Sequence, residues 1–244
     1  MGAPGNSSRE VVVRILRTEI LENKARASRA AAMLSADERG TFERLPPGAA
    51  RRDYLGAHAL ARTTIAEQVG VEPERLLIRS SPWGRPELVA PGSHRRLSFS
   101  LSHADGIALC AVTRCGAVGA DVESLRHVGP DPLGVAATIC SEREREALLA
   151  TPAPLRAERF LSLWTLKEAF AKATGLGFRL DLGRITLRLG PAPAPELELD
   201  PGGGAEASLW RFGSKFLEPH HVAAVAVRGA PAEEVVIRFE EVAW

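Results

Sequence analysis

The sequence predicts an α+β protein built as two similar α/β halves in a pseudo-twofold arrangement. Two long helical segments carry that expectation: residues 49–70 end in Val-Gly and residues 155–175 end in Thr-Gly. Each is followed by short strands and then by an apolar strand, residues 107–112 in the first half and 222–227 in the second. The halves meet near residue 117, which gives expected lobes of 1–117 and 118–244, too alike in order to be independent modules. A pocket between two such lobes is a favoured ligand site.

Residues 10–16 read as the first strand, behind a loose tail of residues 1–8. Ser35 with Glu38 three places on is a capping-box helix start, and Pro46-Pro47 breaks the chain. In residues 49–69, Tyr54, Leu55, Ala59, Leu60 and Ile65 fall on one helical side, and Gly70 closes the element. Short strands at 76–78 and 87–89 flank a turn-rich stretch, residues 80–86. Residues 97–102 alternate apolar and serine, so one face enters the core and the other is a row of hydroxyls. A turn at 103–106 leads to a buried strand, 107–113, and another turn to a strand at 118–123.

Residues 130–133 read as a linker and 141–149 as a charged helix. Pro152 and Pro154 separate it from a helix in which Phe160, Leu163, Trp164, Leu166 and Phe170 recur at helical intervals up to Gly175. Strands follow near 184–189, 196–199 and 208–212, punctuated by Pro/Gly-rich loops, then at 222–227 and 235–239.

With 45% hydrophobic and 25% charged residues, the composition is that of an ordinary soluble protein. A net charge of +1 gives no support for a nucleic-acid partner. No apolar run approaches the roughly 20 residues that span a bilayer. Cys110, Cys115 and Cys140 are odd in number and lack metal-type spacing, so they are expected to be reduced fillers in a cytoplasmic protein.

On a strand, Asp121 and Glu123 share one face, and two adjacent carboxylates repel unless a cation sits between them. Such hard oxygen donors suit Mg²⁺ that also binds phosphate, although two solvated acids at a strand end have the same spacing. Glu168 and Lys172 project from one helix face, as an ordinary ion pair or as a third carboxylate and a phosphate-facing cation. Arg85, at the tip of the turn Trp83-Gly-Arg-Pro-Glu87, has the fork that grips phosphate. Ser102-His103 ends the serine-faced strand, where polar groups reach a ligand.

Taken in order, Gly84-Arg-Pro86, Phe99-Ser-Leu-Ser-His103, Val118-Gly-Ala-Asp-Val-Glu123 and Trp164-Thr-Leu-Lys-Glu-Ala-Phe-Ala-Lys172 resemble the 4′-phosphopantetheinyl transferase superfamily, in particular its two-lobed Sfp-type members. A looser match lies at Arg51-Arg-Asp-Tyr54, and the resemblance runs over about residues 30–230. It implies transfer of the phosphopantetheine arm of coenzyme A to a serine of an acyl or peptidyl carrier protein, as in polyketide or nonribosomal peptide biosynthesis. The resemblance also implies release of adenosine 3′,5′-bisphosphate and Mg²⁺ as the cofactor. By position, Asp121, Glu123 and Glu168 resemble the metal ligands and Lys172 the lysine near the pyrophosphate. Arg85, Pro86, Ser102 and His103 resemble the coenzyme A cradle, and Arg52 a further phosphate contact. Glu168 or Glu144, or a metal-bound water, is the expected proton acceptor. Because both lobes would contribute to one site, a monomer is expected.

Two other readings use the same residues. An acid cluster with a lysine also suits a Mg²⁺-dependent phosphodiesterase or nuclease, but that leaves Arg85 and His103 without a role. A non-catalytic coenzyme A-binding module has no need of three carboxylates.

Overall fold

The computed structural model describes residues 9–81, 85–89, 97–189, 196–199, 204–229 and 234–244. The first half runs β1 (Glu10–Arg17), α1 (Lys24–Ala32), α2 (Ala36–Arg44), α3 (Ala49–Val69), β2 (Ile78–Ser80), β3 (Pro86–Leu88), β4 (Ser98–Ala104) and β5 (Ile107–Thr113). The second repeats that order: β6 (Ala117–Ser124), α4 (Pro132–Ile139), α5 (Glu142–Ala150), α6 (Ala153–Thr174), β7 (Ile185–Arg188), β8 (Glu196–Leu199), a short α7 (Gly204–Ala207), β9 (Trp210–Leu217) and β10 (His221–Arg228). In each half the last strand is central, β5 antiparallel to β1 and β4, and β10 antiparallel to β6 and β9.

The repeat extends to individual bonds. Thr18 N–H donates to Gly106 O at 2.8 Å, and Leu125 N–H donates to His220 O at 2.7 Å. Ser35 and Glu38 form a capping box on α2, as Ser141 and Glu144 do on α5. Each box glutamate then pairs with a buried cation of the long helix, Glu38 with Arg62 at 2.6 Å and Glu144 with Lys167 at 2.7 Å. Arg62 donates onward to Pro73 O and Leu76 O, and Lys167 to Leu182 O and Ile185 O. Burial alone would raise the Glu38 pKa, but donors from His58, Ser35 and Arg62 outweigh it and hold the carboxyl at about 2.

Strand alternation sorts the core into layers. Val11, Val13, Ile15, Leu109 and Ala111 meet Val118, Ala120, Val122 and Val225 between the two sheets. On the outer faces Val12, Leu16 and Cys110 pack with Leu60 and Ile65 of α3, while Ala224 and Ala226 pack with Leu163, Leu166 and Phe170 of α6.

Three expectations change. The stretch 130–133 is not simply a linker, because Pro132 opens α4 with Asp131 as its cap. The strand expected at 208–212 continues to Leu217. Finally, the boundary at 117 does not separate the lobes in space: β11 (Val236–Val242) returns to pair in parallel with β1, from Glu10↔Val236 to Leu16↔Val242. The C-terminal segment therefore completes the first half's sheet.

Candidate active site

Close approach of α6 to β6 creates the site. A Cβ on Gly119 would lie 2.0 Å from Ala169 O and 2.4 Å from Ala173 N, so only glycine lets the helix settle there. Gly175, at φ 71°, ends the helix in the left-handed region. Glu168 and Lys172 are thereby brought to the face of β6 that carries Asp121 and Glu123.

The serine row forms the seam between the lobes. β4 and β6 belong to different sheets and are joined by hydroxyls rather than by a backbone ladder. Ser98 Oγ accepts from Val118 N–H at 3.2 Å, and Ser100 Oγ accepts from Ala120 N–H at 3.0 Å. Ser102 Oγ donates to Asp121 Oδ1 at 2.8 Å. Lys172 Nζ donates to Asp121 Oδ1 at 2.7 Å, to Ser102 Oγ at 3.1 Å and to Ala120 O at 3.2 Å. The partner of Lys172 is thus Asp121, not Glu168 one turn away. At the equivalent place in the first half the charges are reversed, with Arg14 on β1 2.6 Å from Glu67 on α3.

This cluster is short of positive charge. Burial raises the pKa of Glu168, Asp121 adds to the rise, and Lys172 opposes it. Glu123 is raised by burial and then by Asp121, against a bond from His127. Asp121 Oδ2 is buried without a hydrogen-bond partner. Three carboxylates against one ammonium leave two negative charges. Oxygen-only donors with that deficit fit a divalent hard cation such as Mg²⁺.

His103 keeps an open face to solvent, yet lies deep enough among protein atoms that burial lowers its pKa, with Asp53 opposing and His58 and Lys172 assisting. Asp53, buried on α3, accepts from Thr18 and from Gly106 N–H and so fixes the turn that follows His103.

The remaining expected residues are placed differently. Arg85 Nη1 donates to Lys172 O and Ala173 O at 3.1 and 3.0 Å, and Nη2 donates to Ser98 Oγ and Val118 O at 3.2 and 3.1 Å. The fork expected to grip phosphate instead braces the end of α6 against both lobes. Pro86 lines a cleft of about 430 Å³ with Arg85, Ser98 and Phe99. Trp83 and Gly84 of the same turn lie outside the described residues. Arg52 pairs with Glu22 at 2.6 Å, and the Arg51 guanidinium lies over the Phe42 ring.

Glu144 as a proton acceptor needs correction. It is 2% exposed, and it accepts from Ser141 N–H and Leu187 N–H while pairing with Lys167. Its oxygens are committed to holding α5, α6 and β7 together. Sequence reasoning missed Lys167, although a lysine four after Leu163 and three before Phe170 lies on the buried stripe.

Comparison with known proteins gives the same family as the motifs. A family model for the 4′-phosphopantetheinyl transferase superfamily matches residues 117–226. The chain is similar to the 4′-phosphopantetheinyl transferase HetI of Nostoc sp., 32% identical over 82% of this chain and 80% of that one. It is also similar to the 4′-phosphopantetheinyl transferase psf-1 of Bacillus pumilus, 32% identical over 77% and 75% of the two chains. A solved holo-(acyl-carrier-protein) synthase from Bacillus anthracis, in complex with coenzyme A, aligns with a TM-score of 0.40 at 18% identity, covering 46% of this chain and 95% of that one. The chain belongs to the 4′-phosphopantetheinyl transferase superfamily.

Proposed function

We propose that the chain transfers the 4′-phosphopantetheine arm of coenzyme A to a serine of an apo carrier protein, with Mg²⁺ held by Asp121, Glu123 and Glu168. The observation that carries the assignment of the site is Asp121. One of its oxygens is bonded by Lys172 and Ser102, and the other is buried and unpartnered amid a surplus of negative charge.

In the reaction a bond forms between the serine oxygen and the β-phosphorus of coenzyme A. The bond from that phosphorus to the bridging oxygen breaks, and adenosine 3′,5′-bisphosphate leaves with that oxygen. Such chemistry needs alignment and charge neutralisation more than covalent help. When bound, the ion supplies neutralisation of the pyrophosphate and so stabilises the leaving group. Lys172 places an ammonium at the lobe seam, beside the pyrophosphate. His103, whose pKa burial lowers, offers a ring N–H to a phosphate oxygen. Glu168 would take the proton from the serine hydroxyl at a carboxylate oxygen that is not holding the ion.

Support for the two substrate ends comes from the surface. The cleft beside Pro86 and Arg114 is of a size for the nucleotide end of coenzyme A. An apolar depression of about 190 Å³, lined by Val128, Val135, Phe160 and Trp164, opens beside Glu123, where a carrier would dock. That the seam draws Ser102 from one half and Lys172 from the other supports a working unit of one chain.

Incubating the protein with coenzyme A, Mg²⁺ and an apo carrier protein, then weighing the carrier, tests this directly. A gain of one phosphopantetheine group is expected. An unmodified carrier alongside cleaved coenzyme A would indicate a phosphodiesterase, and bound but intact coenzyme A a binding module.

A further inference from the structure

On the other side of β6 from the carboxylates, the turns closing the two inner hairpins face each other. Asp105, at φ 46°, lies in the turn between β4 and β5, and His220 leads into β10 at His221. Asp105 Oδ2 is 3.4 Å from His220 Nε2 and 3.9 Å from His221 Nε2. Among the described residues, these three each offer a donor atom within 4.8 Å of the others. The His rings stack at 4.5 Å.

Hydrogen bonding leaves this group incomplete. His220 Nε2 and His221 Nδ1 are buried without a hydrogen-bond partner, and His221 is 3% exposed. His221 Nε2–H donates to Asp105 O at 3.1 Å, which leaves Nδ1 as the unprotonated nitrogen of the neutral ring. Ser124 Oγ donates to Asp105 Oδ2 at 2.8 Å, and Arg126 Nη1 lies 3.5 Å from the same oxygen. The charged groups nearby are Arg126, His127 and Arg17, and Arg17 is itself bonded to Glu218 O.

We propose that Asp105, His220 and His221 form a binding site for a borderline transition-metal ion of the zinc class, separate from the carboxylate cluster. Zinc at about 2.0–2.1 Å from nitrogen and oxygen donors in a tetrahedron sets them about 3.3 Å apart. The observed 3.4 and 3.9 Å need only a small closure. Two imidazoles and one carboxylate select zinc, cobalt or nickel over magnesium, which prefers oxygen donors and retained water. Ser124 orients the carboxylate from the second layer, as outer partners of metal ligands do. Arg126, whose side chain is 66% exposed, swings into solvent when the ion's charge arrives. Ligation through His221 Nε2 moves the ring proton to Nδ1, which has no other hydrogen-bond partner. The bound ion clips a turn of the first half to the matching turn of the second, next to the residue that follows Glu123.

The test uses untagged, metal-stripped full-length protein in excess Mg²⁺, titrated with Zn²⁺ by calorimetry and with Co²⁺ by visible absorption. One equivalent of Zn²⁺ should bind, and Co²⁺ should give the intense bands of tetrahedral coordination that Zn²⁺ then abolishes. His220→Ala and Asp105→Asn should each weaken binding at least tenfold, while Glu168→Gln leaves it unchanged. His220 is not deeply buried, so its variant is expected to fold, and the wild-type titration stands without any variant. Absence of stoichiometric binding by wild type would overturn the proposal. So would binding that survives His220→Ala but fails in Glu168→Gln.

Discussion

Replacing Lys172 with methionine separates its structural role from that of the ion. Lys172 makes three bonds, and the Asp121 carboxylate left behind has a side chain only 7% exposed. Breaking a buried pair costs about 3–5 kcal/mol, but Lys172 is 34% exposed and solvent screens part of that. A cost of about 2 kcal/mol is expected, or about 4–8 °C in Tm for a chain of this size. The variant carries three unbalanced carboxylates where the wild type has two, so it should hold Mg²⁺ more tightly. A tenfold gain is about 1.4 kcal/mol, adding about 3–6 °C to the Mg²⁺-induced rise in Tm. Differential scanning fluorimetry with chelator and with saturating Mg²⁺ reads both numbers, while transfer should fall sharply because the pyrophosphate loses its ammonium. An Mg²⁺-induced shift in the variant equal to or below that of wild type would refute the placement of the ion beside Lys172.

Other perturbations separate bracing from chemistry. Glu144→Gln should cost about 3–5 kcal/mol by unbalancing buried Lys167, yet leave kcat of the folded protein near normal in the cold; a collapse of kcat at unchanged Tm would restore Glu144 as the base. Arg85→Ala should lower Tm by about 4–8 °C, since it removes four partly buried bonds worth about 2 kcal/mol net, and Arg85→Lys should not recover it for want of the fork. An unchanged Tm with weakened coenzyme A binding would instead favour phosphate contact. Glu38, with its pKa held at about 2 against an ordinary 4.5, contributes about 3 kcal/mol that is fully present above pH 4.5 and lost as pH falls towards 2. Urea unfolding of Glu38→Gln should therefore show a weaker acid dependence than wild type, and identical slopes would contradict this.

Much of the fold was legible because its signals are local. The helix at 49–69 is bounded by Gly48 and the left-handed Gly70, and the strand at 107–113 is buried at every position. Asp121 and Glu123 were readable as partners from strand alternation alone. What stayed hidden depends on distant partners. Arg85 looks like a solvent-facing turn residue until α6, 87 residues further on, delivers its carbonyls. β11 carries Arg238, Glu240 and Glu241 and reads as an edge strand of whichever sheet is nearest, so nothing local assigns it to β1. Glu144 is a different case. Ser141-Glu-Arg-Glu144 has the capping-box spacing already recognised at Ser35 and Glu38, and the internal repeat pointed to a structural glutamate.

The central claim is that three carboxylates gathered at the lobe seam by Gly119 and α6 make the site work. The most direct test measures release of adenosine 3′,5′-bisphosphate from coenzyme A, with an apo carrier present, across a Mg²⁺ titration for wild type, Asp121→Asn and Glu168→Gln. Wild type should saturate with Mg²⁺, and both variants should lose at least a hundredfold in rate at every concentration while keeping cooperative melting, because each removes an oxygen charge where the leaving group forms. Near-wild-type release by either variant at low Mg²⁺ would contradict the account.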